Sequence, residues 1–186
     1  MPESRWRIKT PSFSTGCRPN YQTVTSVIMP KQPISSTSDA DPMAQTAQEA
    51  LKQARFYTDG IEYTLFKLPP KAITAAAGIV AEIGEPFCAL VIDRDEVSLV
   101  IPAAAADDFI KRLPGHAAAP KNYRLITLDV VLDLSLTGFL AAIGEALAAA
   151  GVPILVYAAY SRDHLLVPAT QFDLALKTLE ALQSGL

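Results

Sequence analysis

The chain has 186 residues, half of them hydrophobic and 19% charged, with a net charge of −3. That apolar content can fill a buried core and excludes disorder of the whole chain. The small acidic excess supplies no bulk positive field, so neither nucleic acid nor a membrane surface is an expected partner. Two cysteines, Cys17 and Cys88, make no disulfide framework, and such usage suits a reducing, cytoplasmic compartment. Cys88 sits in an apolar run and reads as a small buried hydrophobe. His116 and His164 lie far apart with no ligand-spaced neighbour, so no metal site and no cofactor is expected.

Residues 1–40 differ from the rest. Between Met1 and Ser38 there are five basic residues, one acid and twelve Ser or Thr. No apolar periodicity runs through them, which predicts a disordered tail. The same composition fits an organelle transit peptide, and a mis-assigned start codon would also explain it. Residues 41–57 read as a short helix, with Asp41 as N-cap, Pro42 at the first helical position, and Met43, Ala47, Leu51 and Ala54 as its stripe. Thr58-Asp59-Gly60 is a turn.

A first unit follows over 59–113. Ile61 to Leu68 is a strand by its aromatic and β-branched content, stopped by Pro69-Pro70. Ala72 to Ile83 is an alanine-rich helix, Phe87 to Ile92 and Glu96 to Ile101 are strands around Asp93-Arg94-Asp95, and Asp107 to Leu113 ends a helix. Residues 114–122 read as a linker. The second unit, 123–184, is clearer. Tyr123 to Val131 alternates as a strand, Leu140, Ile143 and Leu147 form a helix stripe, and Gly151 ends that helix. The most apolar stretch, Phe139 to Tyr160, is broken by Gly151-Val152-Pro153, so it reads as helix then strand and not as a membrane span. Val152 to Tyr160 and His164 to Val167 are strands around Ser161-Arg162-Asp163. Thr170 reads as the cap of the last helix with Asp173 as its capping-box partner.

The two units repeat one order. Phe87 to Asp95, later ending in Val100-Ile101-Pro102, mirrors Ile154 to Asp163, ending in Val167-Pro168. The order βαββα, twice, predicts an α+β fold of two tandem ferredoxin-like units with antiparallel sheets.

Three motifs carry a resemblance: Asp95-Glu96-Val97-Ser98-Leu99-Val100, Leu134-Ser135-Leu136-Thr137-Gly138 and Asp163-His164-Leu165-Leu166-Val167-Pro168. At these residues the chain resembles the ACT-domain family, in particular its tandem members such as the CASTOR-type arginine sensors and small bacterial aspartate-kinase-like proteins. The resemblance spans about residues 59–182. It implies a regulatory, allosteric protein that binds an amino acid at the interface of ACT units, with arginine indicated by resemblance only. The first unit departs from the pattern, with Pro69-Pro70-Lys71 where a glycine-bearing loop is expected. The arginine sensors have four such units and this chain two, so a homodimer or another protein partner would complete an interface.

The loop Leu134 to Gly138 feeds a helix N-terminus, which presents unpaired N–H groups and partial positive charge suited to a carboxylate. Gly138 lets a ligand approach the backbone. Ser135 and Thr137 offer hydroxyls, Leu136 lies between them, and Asp163 suits an ammonium or guanidinium. Val97 and Ser98 are candidates for an opposite wall contributed by the first unit. The same residues also fit a plain structural role, with Ser135 or Thr137 as an N-cap and Gly138 as a packing glycine.

No catalytic residues are expected. Ser161-Arg162-Asp163-His164 contains the residue types of a triad, but neighbours in a strand point to opposite faces. The alternative function is a ligand-free structural or protein-interaction module. A small-molecule enzyme on the same scaffold is the third reading, and the lack of a paired acid and base opposes it.

Overall fold

A computed structural model describes residues 45–84 and 87–186. The expectations for residues 1–40 and for a helix start at Asp41, Pro42 and Met43 lie outside these described residues.

The first element among the described residues is a helix, α1 (Ala47–Gln53). Its N-cap is Thr46. The Thr46 hydroxyl accepts a hydrogen bond from the Glu49 N–H at 3.2 Å, and the Glu49 carboxylate accepts from the Thr46 N–H at 2.9 Å. This reciprocal box satisfies two otherwise orphaned donors. The helix does not reach Tyr57 as the sequence pattern predicted. Ala54 turns to extended geometry, and β1 (Arg55–Tyr57) pairs with a distant strand, Phe56 lying opposite Leu128. The aromatic pair Phe56-Tyr57 favours that pleated setting over one more helical turn.

The first unit then runs β2 (Glu62–Leu68), α2 (Ile73–Ile83), β3 (Ala89–Ile92), β4 (Val97–Pro102), α3 (Ala103–Phe109) and β5 (Ala117–Ala118). The last of these lies within the stretch that read as a linker. The second unit runs β6 (Tyr123–Asp129), α4 (Phe139–Ala149), β7 (Leu155–Ala158), β8 (Asp163–Pro168) and α5 (Phe172–Ser184). All strands join one antiparallel sheet in the order β3-β4-β2-β6-β8-β7. The halves meet where Glu62 and Tyr63 pair with Arg124 and Tyr123.

Two short strands lie off that path. β5 follows α3 and pairs with β2, completing a βαββαβ ferredoxin-like unit. In the second unit the matching place beside β6 is taken by β1, which comes from before the first unit. The α1–β1 segment therefore belongs spatially to the second unit. Ala50, Leu51 and Ala54 are buried in that unit's core, and the Gln183 amide on α5 donates to the Leu51 and Ala54 carbonyls, each at 2.7 Å.

Strand alternation divides the side chains between two faces. On the helix-covered face, Phe66, Leu68, Val97, Leu99 and Ile101 pack with α2 and α3, while Ile126, Leu128, Leu165 and Val167 pack with α4 and α5. In α4 the buried stripe is Phe139, Ile143 and Leu147; Leu140, expected in it, is exposed. The helix begins one residue before Leu140, which turns Phe139 inward in its place. The opposite face carries Tyr63, Val100, Leu125 and Leu166, also buried. The sheet curls over that face until its edges approach: Phe87, leading into β3, stands edge-on to Tyr63 at 5.7 Å and to Tyr157 of β7 at 6.2 Å.

The expected Thr170–Asp173 capping box does not form. A 3-10 turn, Ala169–Gln171, precedes α5, so the N-cap is Gln171 and Thr170 is left exposed one residue too early.

Candidate functional site

The β6–α4 connection is the longest loop of the second unit, and local hydrogen bonds shape it. Asp133 Oδ1 accepts from the Ser135 N–H at 2.7 Å and from the Ser135 hydroxyl at 2.6 Å. These bonds hold the Asp133 carboxyl below the usual carboxylate range. The Leu136 N–H closes a turn onto the Asp133 carbonyl at 2.9 Å, and the Leu132 N–H donates to the Ser161 carbonyl, tying the loop to the β7–β8 turn. Gly138 ends the loop with φ +86°, a left-handed conformation that costs residues with a Cβ about 1–2 kcal/mol. It is the N-cap of α4 and brings no side-chain acceptor, and no acid stands in the first turn. The first-turn N–H groups of α4 therefore have no side-chain cap.

Loop, helix start and the β7–β8 turn enclose a recess of about 250 Å³, lined by residues from Leu132 to Asp163. Its size suits a ligand smaller than a drug-like molecule. Leu136, Gly138 and Asp163 line it, together with Phe139, Leu140 and Ala141 of the first helical turn. Ser135 belongs to the same loop, its hydroxyl already donating to Asp133. Thr137 is exposed in the loop and is not part of the lining.

Asp163 opens β8 opposite Leu128 and Ala158, and only 8% of its surface is exposed. No described residue donates a hydrogen bond or forms an ion pair to its carboxylate. Burial pushes this carboxyl above its ordinary range, and the adjacent His164 offsets part of that rise. The Asp163 oxygens are not sealed from solvent, since among the described residues Arg124 Nε alone is a fully buried side-chain polar atom without a hydrogen bond, and Asp163 lines the recess. The other charges lining the recess are engaged: Arg162 Nη1 pairs with Asp129 Oδ1 at 2.8 Å, and Asp133 holds Ser135.

Val97 and Ser98 are not brought to this recess. Val97 is buried under α2 and α3, and Ser98 hydrogen-bonds Glu96 on the opposite face. Both sit beside the far end of β2, paired with Leu68 and Lys67. Since β2 meets β6 only near their first residues, Val97 and Asp163 stand roughly 30 Å apart along the strands at about 3.3 Å per residue. At the matching place in the first unit, Pro69 leads directly through a 3-10 turn, Pro70–Ala72, into α2, with no comparable loop.

His164 and Asp163 lie on opposite faces of β8. His164 Nδ1 bonds the Thr127 hydroxyl at 2.9 Å, and its ring lies 5.2 Å from Phe87. Burial, aided by Arg162, holds its pKa below the ordinary histidine value. Among the described residues no group of His, Cys, Asp and Glu is arranged to hold a metal ion, and no helix is long and apolar enough to cross a membrane.

Sequence reasoning included Leu134 in the loop but missed Tyr160 as a lining residue and Arg162–Asp129 as a pair. The Asp133-x-Ser135 turn was legible as an acid two residues before a hydroxyl; the ion pair spans two elements and left no local signal.

No curated protein sequence matches the chain. Among solved structures, a protein of unknown function from Vibrio cholerae, named a possible transport protein, is 21% identical, with a TM-score of 0.57 over 73% of this chain and 94% of its own. The regulatory subunit of aspartate kinase from Thermus flavus is 14% identical, with a TM-score of 0.55 over 69% of this chain and 95% of that one. The allosteric aspartate kinase of Clostridium acetobutylicum is 17% identical, with a TM-score of 0.55 over 67% of this chain and 33% of that enzyme. At these identities the likeness is one of fold. Residues 118–181, which run from β5 into α5 and so hold the whole β6–α4 loop, match the family described as ACT domain.

Proposed function

We propose that this protein is a non-catalytic regulatory protein that binds an amino acid in the recess beside the start of α4. The observation that carries this reading is Asp163, a buried carboxylate without a partner, beside a helix N-terminus without a side-chain cap. A zwitterion satisfies both at once: its α-carboxylate meets the first-turn N–H groups of α4, and its α-ammonium meets Asp163. The match of residues 118–181 to the ACT domain and the fold shared with regulatory subunits of aspartate kinase support the regulatory part. A second chain packed over the recess would supply a further wall and sense occupancy. The resemblance to arginine sensors carries no choice of ligand.

Calorimetric titration of the full chain with each of the twenty amino acids tests the reading. Millimolar or tighter binding by at least one, abolished in Asp163→Asn and Gly138→Asp with the fold intact, is expected. An absence of binding to all twenty overturns it and favours the ligand-free interaction module.

A further inference from the structure

The recess holds more chemistry than two poles for a zwitterion, and its rim bears on which amino acid enters. Three large apolar side chains around it face water: Leu134 is 77% exposed, Tyr160 85% and Leu140 36%. Scattered exposed hydrophobics are ordinary on a protein surface. Here they gather on one recess, contributed by the loop, the β7–β8 turn and the first turn of α4.

The charges around the same recess are accounted for one by one. Arg162 Nη1 is paired with Asp129 Oδ1 at 2.8 Å, which offsets the attraction this cation offers a second carboxylate. Asp133 is turned onto the Ser135 backbone and hydroxyl. Asp163 is only 8% exposed, lines the recess and lacks a partner, and in the proposed mode it is taken by the α-ammonium. Asp133 Oδ2 carries no bond, but the residue is exposed, so an ion pair from a lysine or arginine side chain to it is screened by water and adds little. Resting on the binding mode proposed above, we infer that the recess takes an amino acid with an uncharged, apolar aliphatic side chain, the class of valine, leucine and isoleucine, which Leu134, Leu140 and Tyr160 cover. The ligand's side chain replaces water over these three residues, and burial on both sides drives the contact.

The test is a comparison of ligands on the full chain by calorimetry. Glycine, alanine, valine and leucine are titrated beside lysine, arginine and aspartate. Affinity is expected to rise along the aliphatic series by up to about fourfold per buried methylene, with leucine roughly tenfold or more tighter than alanine. Lysine, arginine and aspartate bind more weakly than leucine. Leu134→Ser and Tyr160→Ser, both surface changes that leave the fold intact by circular dichroism, weaken leucine roughly tenfold and leave alanine nearly unchanged. Tighter binding of a charged amino acid than of leucine, or leucine affinity unchanged in both variants, overturns the aliphatic assignment while amino-acid binding itself stands. Failure of every ligand to bind overturns both.

Discussion

Asp163 and His164 are adjacent in sequence, lie on opposite faces of β8, and shift in opposite senses because burial disfavours the charged form of each, an anion in one and a cation in the other. Burial raises the Asp163 pKa, so the folded protein holds that proton more firmly than the unfolded chain does. Stability therefore falls as pH rises from about 4 through the raised value, and at neutral pH the ionised carboxylate is a net cost. Asp163→Asn should then raise the melting temperature at pH 7 by roughly 2–4 °C, the equivalent of about 1 kcal/mol, while abolishing ligand binding. Scanning calorimetry at pH 7 and pH 4 checks this, since the gain should vanish at the lower pH; a variant less stable than the parent at pH 7 would mean that the carboxylate has a partner. His164 behaves the other way. Its pKa is lowered by burial first, so its neutral form is favoured in the fold, and stability is present above about 6.5 and lost as pH falls through the lowered value. His164→Gln should flatten the decline of stability between about pH 7 and 5 in urea titrations. The residue types at both positions were legible in the chain, and so was the improbability of a triad. The burial of Asp163 was not. It arises from Leu128 across the sheet and from the β6–α4 loop, both tens of residues away.

At the scale of elements, the β6–α4 loop depends on one backbone angle. A Cβ built on Gly138 would meet only the Ala47 Cβ at 3.8 Å, an ordinary contact, so the glycine is required by its φ of +86° and not by crowding. Gly138→Ala should cost about 1 kcal/mol of stability through backbone strain alone, measured by urea denaturation, and should weaken ligand binding by shifting the first-turn N–H groups. At α1 the capping box makes Thr46→Ala worth about 1 kcal/mol by the same measurement. A loss well below a few tenths would show that the helix is held by its packing and not its cap. Two Thr-x-x-acid patterns occur in this chain, Thr46–Glu49 and Thr170–Asp173, and only the first forms. The difference is the 3-10 turn Ala169–Gln171, which moves the start of α5 past Thr170. Long strands and helices were readable from their periodicity. β1 was not, because three residues show no period and only pairing with β6 makes them a strand.

In the whole molecule the two units are interleaved, not consecutive. Leu51, Ala50, Ala54 and Phe56 precede the first unit yet pack in the core of the second. A fragment of residues 119–186 lacks them and should fail to fold, since removing a single buried leucine already costs about 2–5 kcal/mol and a domain holds only about 5–15. Circular dichroism of that fragment decides the point: a cooperative thermal transition in it would show that α1 and β1 are decoration. The repeat itself was visible in the order of strands and helices. Its unequal closure was not, because the sequence of β1 resembles neither β5 nor any other strand. The two bonds from Gln183 to the carbonyls of Leu51 and Ala54 carry a consequence for the gene. They place the last turn of the chain against the residue that enters β1. A coding sequence opened ahead of β2, with α1 and β1 moved behind α5, would therefore encode the same contacts from a rotated reading order, and its product would be a βαββαβ module followed by a second that differs from it by one added helix, α1.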